Sequence, residues 1–301
     1  MCVLKKCKGK EKMFVLFTDT DTDMTPQVAA EYGYNLISMP YTMDGKEFFP
    51  YEDFEEFEAH EFYEKLRKGA TPKTSGLSPE KYMNYFEPFF KEGKDILYVH
   101  FSASMSGTFD SMKIAIKELK EKYPERNLYT IDTKGITMCS YAIARDIGEL
   151  YKAGKTVEEI QEWAKEEIDK YAAYFFVENL SFFRRSGRVK SFAAFMGNIL
   201  GIRPIIYIDK EGTMTSIDKA KGKHSTISKI MSYVEKLQDN IKDHRVVIAH
   251  SDAPETAKML GDKVKAMFGD DINIEYIMVN PTSGSHCGPD GVGICFHAIH
   301  R

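Results

Sequence analysis

The chain of 301 residues has no apolar run close to the ~20 residues that a membrane-spanning helix needs. This argues against a membrane-embedded protein. It has no surplus of basic charge either: 41 Lys and Arg stand against 45 Asp and Glu, for a net charge of -4. The positive field that attracts phosphate backbones is missing, so nucleic acid is not an expected partner. Five scattered cysteines, Cys2, Cys7, Cys139, Cys287 and Cys295, do not form a disulfide framework and fit a reducing compartment. Residues 1–12 are basic without the apolar core of a signal peptide, so a cytoplasmic location is expected. No linker rich in Pro, Gly or Ser, no repeat and no low-complexity segment breaks the chain. Tryptophan is nearly absent, with one residue, yet 20 Phe and 17 Tyr bring the aromatic content to 13%. That content suits a large core and equally an apolar pocket.

The apolar run 14–17 ends in Thr18 and Asp19 and reads as a buried strand opening a parallel sheet. Thr25-Pro26 then starts a helix, with Thr25 as cap and Pro26 at the first position. Residues 36–40 return as a strand, 54–68 and 78–90 read as helices, and 96–101 is the next buried strand. The polar turn 102–108, a helix to about Lys122 and a strand at 128–131 follow. Strand, turn and helix at this pace predict βαβ units and a parallel sheet, with ligands bound past the carboxyl ends of the strands. Thr156 and Glu159 make a capping box for a helix over 156–169. Beyond a soft boundary near Ala172 the pattern changes. A strand at 173–177, a hairpin of 203–208 with 214–219 about Glu211-Gly212, and helices over 225–237 and 255–268 predict a mixed sheet. The expected fold class is therefore α/β in two domains, 1–171 and 172–301, with a site between them.

Four motifs bear on chemistry. Asp19-Thr20-Asp21-Thr22-Asp23-Met24-Thr25 fails as a calcium loop, because its sixth and twelfth positions are Met24 and Ala30. Asp21, Asp23 and Thr25 do fit the Asp-x-Asp-x-Thr signature of a haloacid-dehalogenase-like, metal-dependent phosphohydrolase, with Asp270 and Asp271 as further carboxylates. The plain alternative is an acidic capping turn. Serines at 102–106, Asp132 and His286 stand in hydrolase order, but no Ser has the flanking glycines of a nucleophile elbow. His286, Cys287, Cys295, His297 and His300 match no usual zinc spacing. The Gly-rich stretch 282–291 reads as a turn that lets a ligand approach the backbone, without the Lys and the following helix of a P-loop. No metal and no cofactor are expected. Finally, Phe192, Phe195, Met196, Ile199, Leu200 and Ile202 circle a helix that must be buried, as core or as the wall of an apolar tunnel. Arg184, Arg185 and Arg188 precede it as a basic cluster, a solvated turn or an anchor for an acidic partner surface.

Lys73-Thr74-Ser75, Met105-Ser106-Gly107-Thr108, Ser186-Gly187-Arg188, Gly201-Ile202-Arg203-Pro204, Lys219-Ala220-Lys221-Gly222 and His286-Cys287-Gly288-Pro289 resemble the DegV family in order and spacing. The resemblance runs from about Phe14 to the end of the chain. It implies a lipid-binding carrier and not an enzyme. One long-chain fatty acid is held by its carboxylate on hydroxyls of the first domain, with the acyl chain in the second. A separate fatty acid kinase is implied as partner, making the acyl phosphate used in phospholipid synthesis. On that resemblance Thr74, Ser75 and His286 bind the carboxylate, together with the turn Ser102, Ala103 and Ser104. Phe192, Phe195, Met196 and Ile199 line the acyl chain, and Arg184, Arg185 and Arg188 meet the partner. The turn departs from the family's pair of serines, because Ala103 stands in the second place and offers no hydroxyl. Other departures are Gly76-Leu77 after the Thr-Ser pair and Ser186 before Gly187. The competing expectations are the phosphohydrolase using Asp21 and Asp23, and a regulatory module for another hydrophobic ligand.

Overall fold

The computed structural model describes residues 14–190 and 201–301. Its first half is built on a parallel sheet of order β2-β1-β6-β7, from β1 (Phe14–Asp19), β2 (Tyr34–Ile37), β6 (Asp95–His100) and β7 (Leu128–Asp132). The helices α1 (Pro26–Tyr32), α3 (Pro79–Lys91) and α4 (Thr108–Lys122) connect these strands. Thr25 and Ser78 cap α1 and α3, each accepting a bond from the backbone amide three residues on, and a proline follows each cap. A helix N-terminus written as hydroxyl then proline is thus realised twice.

A small sheet of order β4-β3-β5 sits beside this unit, from β3 (Tyr41–Met43), β4 (Lys46–Phe48) and β5 (Lys73–Thr74). Asp44 and Gly45 turn the β3–β4 hairpin with φ of 53° and 79°, the conformation that a tight primed turn demands. α2 (Ala59–Arg67) packs with this sheet and starts five residues later than residue 54, where the sequence pattern places it. Phe54 and Phe57 pack instead from the preceding loop onto the cluster that Phe62, Tyr63 and Leu66 of α2 form with Tyr41 and Met43.

α5 (Met138–Lys152) and α6 (Val157–Glu167) lead to the second half. Thr156 and Glu159 make both bonds of the capping box for α6. A seven-stranded mixed sheet follows, of order β13-β12-β14-β8-β10-β11-β9. Its strands are β8 (Tyr171–Phe176), β9 (Val189–Lys190), β10 (Ile202–Ile208), β11 (Met214–Lys221), β12 (Val246–His250), β13 (Ile274–Met278) and β14 (Val292–His297). α8 (Lys223–Leu237) and α9 (Pro254–Phe268) pack a separate apolar cluster against one face of it. The other face joins the first half. A single hydrophobic cluster runs from Leu16 and Leu97 through Ile143 and Ile147 of α5 to Ile206, Val247 and Cys295. This α/β architecture is the parallel-then-mixed arrangement that the βαβ pacing predicts. Two short helices complete it, α7 (Leu180–Ser186) and α10 (Pro281–Cys287).

Candidate functional site

The turns after β1, β6 and β7 lie at the carboxyl edge of the parallel sheet, and they face the ends of β8, β10 and β12 across a cavity. That cavity encloses about 930 Å³ of non-atom space, its open mouth included. Most of its wall is apolar. Phe175, Phe183, Ile208, Met214, Ala249 and Val279 are among the residues that form it. A minority of polar groups gathers on β5, on α10 and at the start of α4.

α10 is where the structure departs most from the sequence reading, because the stretch 282–291 does not form a bare turn. Asn280 caps a helix there by accepting from the Ser283 amide at 2.9 Å, and Pro281 fills the first position. This helix is bolted to the acidic turn after β1. The backbone amide and the side-chain amide of Asn280 both donate to Asp23 Oδ1, at 2.8 and 2.7 Å. Ser283 Oγ donates to Asp21 Oδ1 at 2.9 Å, and Thr282 Oγ1 donates to the Met39 carbonyl at 2.7 Å. Asp19 closes the same corner by accepting from the Tyr98 hydroxyl and from the Phe101 amide. Burial pushes Asp21 up to about 6 and Asp23 up to about 8, because a desolvated carboxylate is disfavoured over its neutral form. Asp21 and Asp23 thus serve as acceptors that fix a helix. Neither Asp270 nor Asp271 reaches the cavity lining, and Asp271 pairs with Lys242 at 2.8 Å. Among the described residues no group of three or more His, Cys, Asp and Glu is arranged to hold a metal ion.

One turn along α10, His286 comes within 2.8 Å of Thr74, Nε2 to Oγ1, across 212 residues of sequence. Thr74 is half-buried and Ser75 is exposed, with Ser75 Oγ donating to Glu47 at 3.0 Å. The loop after Thr74 rests on the start of α4. The Leu77 amide donates to Thr108 Oγ1 at 3.0 Å, and Ser106 Oγ accepts from the Thr108 amide at 3.2 Å. Thr74, Ser75, Ser106, Thr108, Arg188 and His286 all line the cavity, and the amino terminus of a 15-residue helix at Thr108 adds positive potential. Burial, reinforced by the Arg188 guanidinium, lowers His286 to about 4. The imidazole is therefore neutral near pH 7.

The other carboxylate candidates lie elsewhere. Ser102 is fully buried and its Oγ donates to the Gly212 carbonyl at 2.7 Å, while Ser104 Oγ donates to the Glu211 carbonyl at 2.7 Å. Both hydroxyls clasp the tip of the β10–β11 hairpin. Gly212 is required there: its φ is 76°, and a Cβ on it would sit 2.3 Å from Ser102 Oγ. Ala103 is exposed and gives its amide to Asp132 Oδ2 at 3.3 Å. Asp132 also accepts the Lys134 amide and makes no bond to His286, so the Ser, Asp and His of the hydrolase order do not assemble. Cys295 and His297 share β14, yet His297 bonds Glu167 and stacks on His244 away from His286. Arg184 and Arg185 are exposed on the last turn of α7, and Arg188 alone of the three reaches the cavity. Phe192, Phe195, Met196 and Ile199 lie outside the described residues. The sequence reading does not single out Ser106, Thr108, Thr282 and Ser283 as site residues.

The lowered His286 gives a pH signature. In the unfolded chain an imidazole takes up its proton near ~6.5, but in the folded protein it does so only near about 4. Between those values the unfolded state binds more protons, so this group makes stability fall as pH drops through the window. Asp21 and Asp23, raised on folding, act in the opposite sense and are common to wild type and variant. We expect His286→Gln to gain stability relative to wild type between pH 7 and pH ~4.5, as read by urea midpoints. Parallel pH profiles for the two proteins would contradict the buried, neutral assignment.

The comparisons with known proteins agree with one another. The model of the family described as "Uncharacterised protein, DegV family" matches residues 13–298. A DegV domain-containing protein of Clostridium perfringens is 32% identical over 286 residues, covering 95% of this chain and 97% of its own length. Among solved structures, a DegV family protein of Thermus thermophilus that binds fatty acid is similar with a TM-score of 0.83 at 23% identity, over 95% of this chain and 100% of that one. A stearic acid-binding protein of Eubacterium ventriosum gives a TM-score of 0.83 at 19% identity, over 95% and 98%. At these identities the structural likenesses establish the fold.

Proposed function

The chain belongs to the DegV family, and on that premise we propose that it is a non-catalytic carrier of one long-chain fatty acid. The observation that carries this reading is the cavity itself, a mostly apolar chamber whose wall brings the Thr74 hydroxyl and the His286 imidazole into contact. A fatty acid has the same division. Fatty-acid binding by the solved relatives from Thermus thermophilus and Eubacterium ventriosum supports it.

In this reading the Thr74 hydroxyl donates to the carboxylate, and His286 Nε2, in contact with Thr74, either donates beside it or orients it. The Ser106 hydroxyl, whose proton is free to donate, completes the anion site beside the positive end of α4, which answers for the hydroxyl missing at Ala103. A hydrogen bond to a charged acceptor is stronger than a neutral one, and the carboxylate so held sits where Thr74 and Ser75 meet solvent. Arg188 lines the cavity there, and Arg184 and Arg185 are exposed on the preceding helix. An acidic face of a separate kinase could dock there and phosphorylate the presented carboxylate, with the kinase supplying the phosphate donor.

Solvent extraction of the purified protein followed by mass spectrometry tests the ligand class. The expected result is one long-chain fatty acid per chain. Recovery of none, together with no uptake of added palmitate or oleate, rules the reading out, and recovery of a non-acyl lipid points to the regulatory alternative. Within the site, Thr74→Val is expected to weaken binding about ten-fold or more, the worth of one hydrogen bond to a charged group. Ser102→Ala and Ser104→Ala should leave affinity nearly unchanged, because their hydroxyls are held by the hairpin carbonyls. Equal affinities for wild type and Thr74→Val would refute that ranking.

A further inference from the structure

The seven-stranded sheet ends at β13, and among the described residues no strand pairs with its outer edge. The Val246 amide donates to the Asn273 carbonyl, and the Val279 amide donates to the His250 carbonyl. In a parallel ladder the peptide groups alternate in direction. Those two bonds therefore turn residues 275 and 277 inward toward β12, and they turn the amides and carbonyls of Ile274, Tyr276 and Met278 outward. The strand reads Ile-Glu-Tyr-Ile-Met, with none of the lysines or prolines that usually guard an edge. Tyr276 is 44% exposed.

A second cleft, with about 1080 Å³ of non-atom space including its mouth, runs along this edge. Four successive residues of β13, Glu275 to Met278, line it. Side chains of a strand alternate between faces, so the cleft follows the edge and not one face. Its opposite wall carries Tyr51, Glu55, Glu56 and Phe57. Glu275 is neutralised by Arg145 and Arg245, at 2.9 and 3.2 Å. Glu55 and Glu56 are exposed and have no ion-pair partner among the described residues. Asp23 also lines the cleft, and its Oδ2 has no hydrogen-bond partner.

We propose that this edge and cleft dock an extended basic segment of a partner protein by strand addition, with its backbone on Tyr276 and Met278 and its cationic side chains against Glu55, Glu56 and the aromatic rings. Main-chain bonds supply affinity in this mode and pockets supply selectivity, and a cation over Tyr or Phe gains further attraction. A second copy of this chain fits poorly, because it would set its own Glu55 and Glu56 against the same carboxylates. The proposal does not depend on what fills the main cavity.

The probe is a short peptide alternating valine and lysine, with its valine and glutamate counterpart as control, added to the full chain. Hydrogen exchange should show new protection at the Tyr276 and Met278 amides with the basic peptide only. Combined Glu55→Gln and Glu56→Gln should weaken binding about five-fold at low salt. Tyr276→Pro should abolish binding while the ladder to β12 survives, since proline is tolerated where the amide faces outward. Tyr276→Thr, which keeps that amide, should retain binding. No binding, equal binding of the acidic peptide, or binding without protection at those two amides would overturn the proposal. So would a concentration-dependent dimer protecting the same amides, which would assign the edge to a second copy. Exchange on the unsubstituted chain decides the matter even where a variant fails to fold.

Discussion

Asn280→Ala is expected to destabilise the protein by about 1.5–2.5 kcal/mol and to loosen the carboxylate site with it. The figure comes from two losses. Removing a good N-cap costs ~1 kcal/mol, and α10 loses the acceptor for its Ser283 amide. Losing one of the two donors to the buried Asp23 Oδ1 costs a further ~0.5–1.5 kcal/mol, since the Asn280 backbone amide still donates there while Oδ2 stays unpartnered. Asn280→Asp separates the two roles. Asp caps a helix about as well as Asn, so if capping were all, Asn280→Asp would be mild near pH 7. If the clamp to Asp23 matters, the variant loses stability relative to wild type as pH rises through about 8, where Asp23 gives up its proton and two buried carboxylates face each other. Urea midpoints give the stabilities, and palmitate affinity reports on His286, which rides on the same short helix. A variant Asn280→Ala with native stability would remove the clamp from the account of this site.

That clamp was only partly legible in the sequence. The strands of the parallel sheet, the hydroxyl-proline helix starts and the Thr156 capping box are local patterns, and the fold reproduces them. α5 escaped because its first seven residues, Met138 to Ala144, are all buried and show no polar face, which appears only with Arg145, Asp146, Glu149 and Lys152 in the second half. The strands β3, β4 and β5 are two or three residues long, too short for alternation, although Asp44-Gly45 carried the hairpin signal. α10 was hidden by its glycine and its small hydroxyl residues, even though Asn280-Pro281 is a start signal of the same kind as Thr25-Pro26. At the site, the resemblance singled out Thr74 and His286, but their contact is not a property of either segment. It follows from α10 being fixed to the acidic turn. Ser102 and Ser104 show the converse. Their hydroxyls point where the tip of a hairpin more than 100 residues away offers carbonyls, and no local pattern records that direction.

Affinity should climb steeply with acyl length, by roughly four-fold per methylene, until the chain fills the cavity. Burying each methylene is worth about 0.8 kcal/mol, so passing from decanoate to palmitate, about six methylenes, should tighten binding by roughly a thousand-fold or more. The carboxylate contacts are the same along that series and cancel from the comparison. The wall that receives the chain includes Phe175, Phe183, Ile208, Met214 and Ala249, and Ala249, 1% exposed on β12, is the small residue among them. Ala249→Phe should therefore shorten the chamber and move the optimum to a shorter fatty acid, while leaving the response to Thr74→Val unchanged. Competitive displacement from delipidated protein across the series measures both effects. A flat dependence on length would mean that the polar end dominates affinity, and a carrier selective for long chains would then be the wrong description. A steep rise in wild type with no shift in Ala249→Phe would keep the carrier and relocate the end of its acyl chamber.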